Sequence, residues 1–100
     1  MTTSSFTPHA GGLTHLVLQV ACAEPQSRHE LAQRIERRHA LSVSAQAVRK
    51  ATWRLCRAGL LRAAEQVGRA WRYVLTGLGE AVLDDLDIEL WWRTHGQVAA

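Results

Sequence analysis

The sequence predicts a single, mainly α domain that carries one small β-hairpin. Three observations predict it. Apolar residues recur at helical spacing in four stretches, the period changes to alternation between Leu60 and Leu75, and a length of 100 residues leaves room for one core. A hydrophobic share of 47% suffices for such a core, and 21% charged residues argues against intrinsic disorder.

Met1–Gly12 is rich in Ser, Thr, Gly and Pro and has no period, so residues 1–12 are expected to form a flexible arm. From Leu13 the positions Leu13, Leu16, Val17, Val20 and Ala21 mark a first helix, which Glu24-Pro25 stops. Ser27 and Glu30 form a capping box, in which each side chain satisfies a free backbone N–H at a helix start. The second helix then runs to about His39, with Leu31, Ala32 and Ile35 inward. A short extended piece, Leu41–Val43, and a cap at Ser42 or Ser44 precede a third helix that buries Val48, Ala51, Thr52 and Leu55. Gly59 ends it, because glycine enters the left-handed conformation without a steric penalty.

Leu60–Gln66 and Ala70–Leu75 read as strands around a turn at Val67-Gly68-Arg69, with Trp71, Tyr73 and Leu75 alternating on a side expected to face the core. Thr76 caps a last helix through about Thr94, apolar at Leu78, Val82, Leu86 and Leu90. Residues 13–76 are thus read as the working domain and 77–96 as an appended helix.

The net charge of +3 conceals an uneven distribution. Between Pro25 and Thr76 eleven Arg or Lys face three acids, a balance of +8, whereas the segment after Thr76 carries −4. A polyanion would meet the middle of this chain. Leu41–Ala64 contains no acid, so local pairing does not explain Arg49, Lys50 or Arg54. In a helix-turn-helix the second helix of the pair enters the major groove of DNA, and the third helix occupies that place here. Opposite its buried stripe it shows Gln46, Arg49, Lys50, Trp53 and Arg54, among which Arg and Gln match guanine and adenine edges. Trp53 is open to two readings, a partly buried packing residue or a DNA contact.

Leu55-Cys56-Arg57-Ala58-Gly59-Leu60-Leu61 resembles the exit from the recognition helix of winged helix-turn-helix transcriptional regulators. Tyr73-Val74-Leu75-Thr76-Gly77-Leu78-Gly79 resembles the passage from wing to following helix in the PadR and MarR groups. The resemblance covers about Leu13–Leu86 and implies a winged helix-turn-helix fold and a DNA-binding regulator, expected to be a repressor of bacterial or phage type. It implies that Ser44–Arg54 read bases and that Arg69, at the wing tip, touches the minor groove or its phosphates. Arg28 and Arg72 complete the expected double-stranded-DNA contacts. A winged helix used only for protein interaction is the alternative.

Other functions find little support in the sequence. Cys22 and Cys56 read as small buried hydrophobes, and His9, His15, His29, His39 and His95 are too scattered for a metal site. Asp84, Asp85 and Asp87 read as a solvated acidic face near a helix start, not as a magnesium site. No nucleophile or phosphate-binding motif is present, so neither enzyme activity nor a cofactor is expected. Without a membrane-spanning run or a secretory start, a cytoplasmic protein is expected. Leu83, Ile88, Trp91 and Trp92 are left over from the last helix's core stripe and predict a homodimer interface.

Overall fold

The computed structural model describes residues 8–96. It contains α1 (Leu13–Val20), β1 (Gln26–Ser27), α2 (Arg28–His39), α3 (Ala45–Arg57), β2 (Leu61–Val67), β3 (Ala70–Leu75) and α4 (Gly77–His95). The helical periodicities meet in one core, where Val17 and Leu18 of α1, Leu31 and Ile35 of α2, and Leu55 of α3 have no exposed surface. Each such side chain contributes about 1.5–3 kcal/mol relative to exposure. Val48, Ala51 and Thr52 are buried beside Leu55, and the Thr52 hydroxyl donates to the Val48 carbonyl at 2.7 Å.

Local side-chain chemistry sets the helix starts. Ser27 Oγ accepts from the Glu30 N–H at 3.1 Å while Glu30 Oε1 accepts from the Ser27 N–H at 2.9 Å, completing the predicted capping box. At the end of α3, the Leu60 N–H donates to the Leu55 carbonyl and the Gly59 N–H to that of Cys56, the paired bonds of a Schellman cap. Gly59 sits at φ 78°, which explains why glycine stands there.

The two family-like motifs meet at this point. Thr76 Oγ1 donates to the Gly59 carbonyl at 2.7 Å and accepts from the Gly79 N–H at 2.9 Å, capping α4 and tying it to the exit of α3. The Thr76 N–H donates to the Leu60 carbonyl at 3.2 Å.

The sheet is antiparallel in the order β1-β3-β2. Gly68, at φ 62°, takes the first place of a two-residue turn between paired Val67 and Ala70, as type II′ hairpins require. The third strand is Gln26–Ser27, paired with Tyr73 and Arg72, and the predicted extended piece Leu41–Val43 joins no sheet.

Several expectations are corrected. Residues 1–7 of the predicted arm lie outside the described residues, but Pro8 and Ala10 are buried, and Ala10-Gly11 form the centre of a turn tied to His15 of α1 and lying beside Leu90 of α4. The first helix stops at Val20, short of Glu24-Pro25, because the chain then turns to lay the Cys22 carbonyl against the Leu75 N–H at 3.0 Å. Cys22 and Cys56 are only half-buried, and both are free. On α4, Leu86 is buried and Val82 and Leu90 pack on the core, whereas Leu78 is exposed where the helix begins beyond the core's edge. Leu83, assigned above to a dimer surface, also packs on the domain's own core.

Candidate nucleic-acid interface

The α3 helix buries one arc and turns the other outward. Gln46, Arg49, Lys50, Trp53, Arg54 and Arg57 are exposed, and Ser44 Oγ caps the helix by accepting from the Ala47 N–H at 3.1 Å. The helix start carries no acid, and none of Arg49, Lys50 and Arg54 is in an ion pair among the described residues.

Two open clefts run along this face. One, of 570 Å³, lies between the start of α2, the start of α3 and β3; the other, of 790 Å³, lies between α3 and the hairpin. Arg28, Gln46, Arg49 and Trp71 line both, which makes the two clefts one continuous surface. Lys50 and Trp53 join the second cleft, with Tyr73 opposite and Cys56 among its walls. Burial pushes the Cys56 thiol pKa up, so this sulfur stays a protonated lining group.

Of the residues predicted to contact DNA, the structure brings Arg28, Gln46, Arg49, Lys50 and Trp53 together around these clefts. Ser44, Arg54 and Arg69 line neither cleft: Ser44 caps α3, Arg54 stands on its exposed flank, and Arg69 is exposed in the hairpin turn. Arg72 also lines neither cleft, because alternation along β3 turns it to the face opposite Trp71 and Tyr73. Its Nε lies 3.8 Å from Glu30 Oε1. Glu30 is held below the usual carboxylate range first by the Ser27 N–H, against the opposing effect of burial, and then by the Ser27 hydroxyl, Arg72 and Arg34.

Trp71, expected in the core, is 45% exposed because the hairpin extends past the helices. Trp53 is 59% exposed and stands outside the core. Sequence reasoning passed over Trp71 and Tyr73 as cleft residues. It also missed Arg57, whose guanidinium carbon lies 5.0 Å from the Trp53 ring centroid, although the four-residue spacing placed them on one side of α3.

A second surface lies on α4, where Ile88, Trp91 and Trp92 are more than half exposed on the side away from Leu86. Trp91 meets Trp92 edge-on at 5.1 Å and stacks on His95 at 4.7 Å. Among the described residues no cluster of His, Cys, Asp or Glu is arranged to hold a metal ion, and no helix is long and apolar enough to cross a membrane.

No protein-family model matches the sequence, nor does any curated protein. Solved structures do. The chain is similar to a PadR-like transcription factor from Bacteroides fragilis, with a TM-score of 0.74 at 22% identity over 90% of this chain and 89% of that one. It is also similar to RosR from H. salinarum, with a TM-score of 0.67 at 22% identity over 95% and 92% of the two chains. For the hsRosR-S1 complex the TM-score is 0.69 at 20% identity over 83% and 73%. These likenesses show the fold: α1 to α3 and the hairpin form a winged helix, followed by α4.

Proposed function

We propose that this protein is a sequence-specific double-stranded-DNA-binding transcriptional regulator, a repressor of bacterial or phage type that acts by occupying its operator. The observation that carries this reading is the convergence of Arg28, Arg49 and Lys50, with Gln46, on one continuous cleft beside a helix that shows no acid. Gln46 and Arg49 present the forked donors and acceptors that match base edges in the major groove. Arg28, Lys50, Arg54 and Arg69 supply phosphate contacts around them. The similarity to a PadR-like transcription factor supports the same reading. No enzymatic activity or cofactor is part of it.

Titration of genomic DNA fragments across salt concentrations tests the proposal. With four to eight phosphates neutralised, log affinity is expected to fall with log salt at a slope of about −4 to −7. A flat response would leave the protein-interaction alternative. Arg49→Ala is expected to cost about 1–3 kcal/mol and relax base preference, whereas Arg69→Ala weakens all sequences alike. Equal, sequence-blind losses at both positions would remove α3 as the reader.

The same proposal includes a two-fold dimer through α4. Ile88, Trp91 and Trp92 form an apolar face that the domain's own core does not cover, and a second copy brings an identical face to it. Such a dimer prefers inverted half-sites about one DNA turn apart. Sedimentation equilibrium is expected to show a wild-type dimer at micromolar concentration and a monomer for Trp91→Ala/Trp92→Ala. A monomeric wild type ends this part of the proposal, and a dimeric double variant moves the interface elsewhere.

A further inference from the structure

Trp53 occupies a central place on the outward face of α3. Successive residues of a helix turn by 100°, so Gln46, Trp53 and Arg57 stand almost in line along α3, opposite the arc buried by Val48, Ala51 and Leu55. The indole is therefore central in the exposed face, flanked by Arg49 and Lys50. It is 59% exposed, and the exposed side chains beside it on α3 are polar or cationic. The core gains little from so large an apolar group in this place.

Arg57 restrains the ring from one side, at 5.0 Å from its centroid, and lies outside the cleft that the rest of the ring lines. An indole donates one hydrogen bond and accepts none, so it cannot make the two-point contacts that distinguish bases by donor and acceptor pattern. What it offers is hydrocarbon. The one apolar group that base pairs present in the major groove is the thymine 5-methyl.

We infer that Trp53 is a specificity-determining residue that reads thymine methyl groups, held in place for this by Arg57. The inference rests on the DNA reading above and adds to it a base identity: half-sites carry thymine where the middle of α3 meets the groove. Removing one contacted methyl is expected to lower affinity about fourfold, the fold-change that corresponds to burying one such carbon.

The test uses the full chain and duplexes recovered from a random pool by repeated selection, then resynthesised with deoxyuridine in place of every thymidine. Uracil differs from thymine only by the methyl. Wild-type protein is expected to bind the uracil duplexes at least about fourfold more weakly. Trp53→Ala, whose side chain lies outside the core, is expected to bind both kinds equally. Trp53→Gln gives the same comparison where Trp53→Ala binds too weakly to measure. Equal wild-type affinity for both kinds overturns the inference but leaves DNA binding standing. A uracil penalty that persists in the Trp53 variants also overturns it, since the methyl would then be sensed elsewhere. Failure to enrich any duplex removes the DNA reading, and this inference with it.

Discussion

Gly79→Ala is expected to destabilise the fold by about 3 kcal/mol or more, at the upper end of the cost of forcing atoms into a packed site. An added Cβ at Gly79 would stand 2.1 Å from the Leu60 carbonyl oxygen, 3.0 Å from its carbon and 2.7 Å from Leu75 Cδ1. Two of those three atoms are backbone and cannot rotate away. The first turn of α4 would have to lift from Leu60, straining the bonds from Thr76 to Gly59 and Leu60. At about 4–8 °C per kcal/mol, the melting temperature should fall by at least about 12 °C. Gly77→Ala is the control, since nothing lies within 4 Å of its added Cβ. There the loss of unfolded-state freedom should give about 0.4–1 kcal/mol of stabilisation. Thermal melts of the two variants that move together would refute the close approach as the cause.

What could be read from the sequence was what short-range chemistry decides. Val48, Ala51, Thr52 and Leu55 follow the helical period, and all four are buried. The Ser27–Glu30 box and the Gly59 cap depend on residues within one turn, and both form. Pairings across the chain were hidden. Gln26–Ser27 has no alternation of its own and becomes a strand only because Tyr73 and Arg72 lie beside it. Alternation placed Trp71 and Tyr73 on one side of β3 but could not say that this side opens onto a cleft. Arg72 looked like one more free cation until the fold brought Glu30 to it. On α4, apolar residues occur around the whole circumference, so periodicity alone could not separate Leu83, which packs inward, from Ile88, which does not. The least legible residue was His15, which lay among five scattered histidines and is fully buried.

His15→Leu is expected to cost about 2–3 kcal/mol, because it removes two hydrogen bonds, one of them to a charged group that is partly screened by solvent. His15 Nδ1 accepts from the Gly11 N–H at 2.8 Å, so that nitrogen carries no proton. Nε2 then bears the hydrogen and donates to Asp87 Oδ1 at 2.7 Å. One ring thereby joins the segment before α1, α1 itself and α4, across 72 positions of sequence. Leucine fills the space but leaves the Gly11 N–H without its His15 partner and frees α4 at Asp87. The Asp87 carboxyl feels burial most strongly, which raises its pKa. Hydrogen bonds from Gln19 and His15, with the charge of Arg38, outweigh burial and hold it below the ordinary aspartate range. A carboxylate whose folded pKa is depressed stabilises fully above its unfolded value, and that stabilisation is lost as pH falls through the folded one. The contribution is therefore complete at neutral pH and declines below about pH 4, the ordinary aspartate value. Asp87→Asn keeps an oxygen that can accept from Nε2 but has no charge to lose. Between pH 7 and pH 3 its melting temperature should fall less than that of the wild type, and an equal fall in both would show that the ionised Asp87 does not anchor α4.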